Sequence, residues 1–212
     1  RALGMGGAFV AVANDVTSGY YNPAGLANIN YPQLALMHSE QFGNLVNYDY
    51  GAVAIPFQDD MSFGLSVMRL GVDGIPDTRN ALYDANGDGI IDIGDDRLDY
   101  SRITEFSNQD WAFYLTFAKR QTEDFYWGIN AKIIRRDLAE FSATGIGFDV
   151  GAYYTPLENL FVGANLQDAT TTLVAWSTGR NELVSPTLKV GAAYKVVEFL
   201  GGYIMPALDL DI

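Results

Sequence analysis

The densest set of metal-ligating side chains lies in one stretch, Asp84-Ala-Asn86-Gly-Asp88-Gly89-Ile90-Ile-Asp92-Ile-Gly-Asp95. It fits the pattern D-x-[DN]-x-[DN]-G, whose ligands fall at loop positions 1, 3, 5, 7, 9 and 12 and whose glycine makes the sharp turn. Calcium takes roughly six to eight hard oxygens. Asp84, Asn86, Asp88, the Ile90 carbonyl, Asp92 and Asp95 can supply them. Asp at the last position is shorter than Glu, so bidentate closure is weaker there. No helical pattern flanks the loop, and a lone loop has no helix pair to open, so the expected calcium ion is structural. The competing reading is a solvated acidic turn.

Other catalytic chemistry lacks its parts. The chain of 212 residues has no Cys and one His, which removes disulfides, thiolate zinc sites, a Cys nucleophile and multi-histidine centres. His38 and Glu40 share a strand face by parity, but no third group completes an acid–base set. The chain is expected not to be an enzyme. A formal charge of -13 removes the counterion-release term that drives binding to phosphate backbones, so no nucleic-acid partner is expected.

The elements that must carry these groups read as strands. Met61, Phe63, Leu65 and Val67 alternate with Ser62, Gly64 and Ser66; Trp111, Phe113, Leu115 and Phe117 alternate with Ala112, Tyr114, Thr116 and Ala118. The same period of two recurs over 125–133, 145–154, 160–167 and 188–195, with less regular strands near 33–43, 48–57 and 199–212. That makes about nine strands, and no apolar run approaches the ~20 residues of a spanning helix. One face carries bulky apolar groups and the other Gly, Asn, Asp, Gln and Lys. In a transmembrane barrel the first face meets lipid and the second a polar lumen; in a soluble sandwich the first is core and the second meets water.

The connections favour the barrel. Links near 58–60, 120–124, 156–159 and 197–198 are tight, whereas the two longest, 76–108 and 168–185, fall at the opposite end of an up-and-down meander. Outer-membrane barrels have short periplasmic turns and longer external loops. Trp111, Tyr126, Trp127, Tyr153 and Tyr154 lie near strand ends, where interfacial girdles form. By parity Asn130, Lys132, Asp149, Lys189 and Lys195 face the lumen.

Residues 1–30 do not alternate. They are rich in glycine, and Asn22 before Pro23 is a helix-start signal, since Asn caps and Pro tolerates the first helical position. The run RALGMGGAFVAVANDVTSGYYNPAGLA resembles the N-terminal signature of PorV/PorQ-type proteins, a branch of the superfamily that includes FadL-type long-chain fatty-acid transporters. The resemblance implies a barrel with its N-terminal segment folded into the lumen, and places Asn22, Pro23 and Ala24 in that hatch. It implies the outer membrane of a Gram-negative bacterium as the location.

The expected architecture is an all-β, antiparallel, up-and-down transmembrane barrel over 31–212, with a plug at 1–30 and a calcium-loop insertion at 76–108. Nine strands are fewer than the family's barrel, so the chain is expected to be part of a longer protein. By the resemblance it is a component of type IX secretion or cell-surface export, in contact with a translocon and cargo proteins. The sister reading is a FadL-like transporter of a hydrophobic ligand. A third is a secreted, calcium-stabilised β-sandwich used for adhesion or binding.

Overall fold

A computed structural model describes residues 1–87, 89, 97–199 and 201–212. Its strands are β1 (Gln33–Gln41), β2 (Val46–Phe57), β3 (Met61–Asp77), β4 (Leu82–Tyr83), β5 (Arg97–Leu98), β6 (Thr104–Arg120), β7 (Phe125–Leu138), β8 (Phe141–Leu157), β9 (Leu160–Gln167), β10 (Thr172–Trp176), β11 (Asn181–Val184), β12 (Thr187–Tyr194), β13 (Val197–Phe199), β14 (Gly202–Ile204) and β15 (Ala207–Asp211). The main sheet runs β1-β2-β3-β6-β7-β8-β9-β12-β15, with β10 added beside β8 and β11 beside β10. Every pairing in it is antiparallel. The sheet curls around residues 1–30, and among the described residues no pairing joins β1 to β15.

The path has the nine strands expected. β10 and β11 continue β9 and β12 past two facing interruptions, residues 168–171 on one side and Ser185-Pro186 on the other. Asp168 and Thr171 take positive φ there, which turns the chain inward before it rejoins β8.

Strand register sorts the side chains onto two faces. The row Val53, Leu65, Leu115, Ala131, Phe148 lies on the convex face, and the next row, Ala54, Gly64, Thr116, Asn130, Asp149, on the concave one. Leu65 and Leu115 are 54% and 61% exposed, whereas Thr116 and Asn130 are buried. Leu34, Leu36, Ile133, Ile146 and Leu173 extend the exposed apolar surface. Such a contiguous apolar face is what hydrocarbon covers. It also corrects the sandwich reading, which needs the apolar face to be the packed one. Here the packed face is the small and polar one.

The apolar band has marked edges. At the upper edge the row His38, Asp49, Arg69, Trp111, Arg135 brings charge to the convex face. His38 Nδ1 lies 2.6 Å from Asp49, Arg69 donates to Asp49 at 3.0 Å, and the Arg69 guanidinium sits 5.8 Å over the Trp111 ring. At the lower edge Lys119 and Trp127 pair in register. Between the two rows β3 runs from Met61 to Arg69, about 26 Å of strand, close to the ~9–11 residues with which a tilted strand crosses a bilayer.

Two expectations about the connections are corrected. β7 and β8 are joined by the two-residue turn Ala139-Glu140, so tight turns occur at both ends. The upper end is larger because β3 and β6 stay paired far beyond the band, to Asp77 opposite Thr104, which leaves a shorter loop than 76–108. The lower link after β12 is not tight. It holds the β13–β14 hairpin, turned at Gly201 with φ 77°, and the last strand begins only at Ala207.

Candidate functional site

The hatch is built to lie flat on the concave wall. Asn22 is extended, its side chain accepts the Ala24 N–H at 3.1 Å, and Pro23 opens a 3-10 helix over Pro23–Asn28. Asn, with an acceptor two residues ahead of its own backbone, and Pro, with no N–H to lose, are the residues this start requires. Phe9, Ala13, Ala24 and Leu26 are almost fully buried.

Asn22 also ties the hatch together and to the wall. Its amide donates to the Val10 carbonyl at 2.9 Å and to the Ala152 carbonyl of β8 at 3.0 Å. Asn165 of β9 donates to the Tyr21 carbonyl at 3.0 Å, and Asn130 of β7 to the Gly19 carbonyl at 2.6 Å. Below them, wall glycines let backbone meet backbone: a β-carbon on Gly128 would lie 2.5 Å from the Pro23 carbonyl carbon, and one on Gly151 or Gly163 would overlap Asn22 or Val10. Asn22, Pro23 and Ala24 thus sit at the centre of the hatch–wall contact.

Three of the expected lumen-facing residues form one buried cluster. Lys132 Nζ lies 2.8 Å from Asp149 and 2.7 Å from Asp168, and both Lys132 and Asp149 are buried. Asp149 also accepts from Asn130 at 3.2 Å and from the Asp168 backbone N–H at 2.9 Å. Thr116 donates to Asn130 at 2.7 Å, and Thr172 donates to Asp168. A buried charge persists only when paired and hydrogen-bonded, and each of these is. The parity pattern missed Asp168 because it sits in the inward-turned segment, where alternation stops.

Lys189 lies apart and pairs with Asp211 at 2.8 Å. Lys195 lies past the end of β12, and its Nζ stands 5.0 Å over the Tyr203 ring beside the lower hairpin. Asp209, also missed, accepts the N–H groups of Phe9 and Val10 at 2.7 and 2.9 Å and so fastens the hatch to β15. The girdle expectation splits. Trp111, Trp127 and Tyr154 face outward, but Tyr126 and Tyr153 have concave parity and pack on each other at 5.6 Å beneath the hatch. His38 and Glu40 meet at 3.3 Å on the outer rim, an exposed pair outside the lumen.

Of the calcium-loop residues, Asp84 and Asn86 are described; Asp88, Ile90, Asp92 and Asp95 lie outside the described residues. The Asp84 carboxylate accepts the Gly87 and Gly89 N–H groups at 2.5 and 2.8 Å. Nearby, Arg79 joins Asp77 at 2.7 Å and Glu140 at 2.9 Å, tying the start of the long loop to the β7–β8 turn. The Arg79 guanidinium and backbone N–H hold the Asp77 carboxyl down to about 2, and the same guanidinium lowers Glu140.

Above the hatch the concave wall changes character. Met37, Met68, Leu70, Ile134, Leu138 and Phe141 all have concave parity there. A cavity of about 420 Å³ separates hatch from wall, lined by Leu3, Tyr20, Tyr21, Met37, Tyr48 and Tyr50 among others.

No protein-family model matches the chain, and no curated protein does. Among solved structures, it is similar to a FadL homologue from Pseudomonas aeruginosa, with TM-score 0.55, 11% identity, and coverage of 93% of this chain and 65% of that one. It is also similar to OmpT, an outer membrane protein of Vibrio cholerae, with TM-score 0.47, 11% identity, and coverage of 89% and 54%. The chain thus spans 65% of the length of the FadL homologue. A curled antiparallel wall, apolar outside, packed inside on its own N-terminal segment and superposable on that homologue, has the fold of an outer-membrane β-barrel.

Proposed function

We propose that this chain forms wall and hatch of a FadL-like channel in the outer membrane of a Gram-negative bacterium, and that it passes a hydrophobic small molecule. The observation that carries the reading is the set of apolar side chains that the lumen wall presents above the hatch. At hatch level the wall is polar, with Thr116, Asn130, Lys132 and Asp149. Above it the wall carries Met68, Leu70, Ile134, Leu138 and Phe141, with the Asp110–Arg136–Glu182 ion group set among them. A water-filled channel keeps a polar lumen along its length. An apolar mouth above a seated hatch instead favours a solute that prefers apolar surface to water. Outer-membrane lipid is the partner of the convex face.

The test is gentle extraction of the full-length protein from outer membranes, followed by mass spectrometry of the apolar molecules that stay bound. Near-stoichiometric recovery of one class is expected. An empty protein that instead co-purifies with a large assembly would overturn this reading in favour of the second one, a PorV-like component of type IX secretion acting with a translocon and cargo. That second reading is supported by the N-terminal run through Asn22, Pro23 and Ala24. In either case the 84–95 loop is proposed to hold one structural calcium ion, supported by the spacing of its oxygen donors and by the Asp84 turn.

A further inference from the structure

Two donors on the lumen wall above the hatch are without a hydrogen-bonded acceptor among the described residues. The Trp176 Nε1 and Arg136 Nε atoms are covered and make no hydrogen bond among the described residues, the Arg136 atom having only Asp110 at the ion-pair distance of 3.5 Å. They belong together. Arg136 pairs with Ala143 on β8 and Ala143 with Trp176 on β10, so the two share one concave row, two strand spacings or roughly 10 Å apart at the backbone. Both side chains are long enough to lean into the space between. Around them lie Leu70, Ile134 and Leu138, also of concave parity. A buried N–H without an acceptor is costly, and the Leu70, Ile134 and Leu138 side chains offer none.

The local charge decides what kind of acceptor fits. Arg136 lies between two carboxylates, with Nε 3.5 Å from Asp110 and Nη1 3.7 Å from Glu182, so the group as a whole carries an excess negative charge. The cations deeper in the lumen are no freer: Lys132 faces Asp149 and Asp168, and Lys189 faces Asp211. The chain carries a formal charge of -13. An anionic head at this row would meet Asp110 and Glu182 at close range and be repelled by both, a repulsion that water moderates because these side chains are 34% and 54% exposed. A neutral oxygen accepts from the Trp176 indole and from Arg136 without that repulsion.

We infer that the molecule received at this row is uncharged, a long apolar chain ending in an alcohol, ester or ketone oxygen, and not a carboxylate anion. The inference rests on the reading of the lumen as a route for a hydrophobic molecule. The oxygen sits between Arg136 and Trp176, and the chain lies over Leu70, Ile134 and Leu138.

The experiment uses the full-length protein in nanodiscs with Trp111→Phe and Trp127→Phe, which removes the two lipid-facing indoles and leaves Trp176 as reporter in this part of the protein. The probes are a bromine-labelled long-chain alcohol and the carboxylate of the same length at pH 8, read by quenching of Trp176. The alcohol is expected to quench at a concentration at least tenfold lower than the carboxylate. Asp110→Asn with Glu182→Gln leaves Arg136 unopposed and is expected to bring the carboxylate up by at least tenfold while the alcohol hardly changes. Quenching by the carboxylate as tight as or tighter than by the alcohol in the parent would overturn the inference and leave the hydrophobic route standing. No quenching of Trp176 by either probe would overturn both.

Discussion

Asn22 rests on Gly151 with no room for a side chain between them: a β-carbon on the glycine would fall inside the contact radius of Asn22 Oδ1 and within 2.8 Å of the Pro23 ring. The same amide reaches Ala152, the next residue of β8. Hatch and wall are therefore fitted to each other atom by atom at this point.

Gly151→Ala is expected to lift the hatch off the wall at a cost of about 1–3 kcal/mol, the usual range for overpacking a filled site. Limited proteolysis of the first thirty residues should accelerate. Gly4→Ala, where nothing lies within 4 Å of the added carbon, should leave the cleavage rate unchanged.

Lys132→Met should be among the most damaging single changes, because it leaves Asp149 and Asp168 facing each other in a buried site. Breaking a buried pair by removing one partner costs roughly 3–5 kcal/mol. Hydrogen exchange would report it as lost protection at 168–172 and, through Asn130, near Gly19. Asp168→Asn keeps the Lys132–Asp149 pair and should lose much less.

The assignment of faces can be tested with charge. Leu65→Arg places a cation on the convex face near mid-band and is expected to destabilise folding into lipid vesicles by about 2–4 kcal/mol. Leu70→Arg points the same side chain into the lumen. It should cost much less, and a larger cost at Leu70 than at Leu65 would mean that the faces are reversed.

Acid should loosen the upper end of the wall. Asp77 is held at about 2 by Arg79, below its ordinary value near 4, so its contribution is complete above that ordinary value and disappears as pH falls through the interval between them. Glu140 is lowered by the same guanidinium and acts in the same direction. Pepsin cleavage in 78–103 should therefore rise between pH 4 and about 2 by more in the parent than in Arg79→Gln, which has already lost the tie.

Calcium binding is measured most simply by isothermal titration of the parent against Asp88→Ala. The parent should bind one ion and gain protease resistance across the long loop, and the variant should do neither. A variant that bound as well as the parent would return the loop to a solvated acidic turn.

The wall was legible because lipid outside and hatch inside impose a strict period of two. Met61 to Val67 and Phe125 to Ile133 kept that period, and the structure placed them accordingly. The Asn22-Pro23 start was legible because its capping chemistry is local. What escaped was set by tertiary contact. Asp168 enters the buried cluster only because a positive φ turns its segment inward, and nothing in the neighbouring residues signals that turn. Tyr126 and Tyr153 looked like girdle residues from their distance to the strand ends, but their parity puts them under the hatch. The two-residue turn at Ala139-Glu140 has no sequence signal of its own, because β7 and β8 continue above the band, where the apolar alternation fades.

The bonds from Phe9 and Val10 to Asp209 join residues 200 and 199 positions apart, and Asn22, Asn130 and Asn165 close loops of more than a hundred residues. Contacts this distant in sequence pay their loop-closure entropy before they return any stability. The order of assembly expected from that is one that pulsed hydrogen exchange during refolding would read. The wall strands, whose partners are neighbours in sequence, form first, and the N-terminal thirty residues dock last, after β15 is in place. Although the first part of this chain to be synthesised, that segment is the last to find its place, and until then it travels undocked.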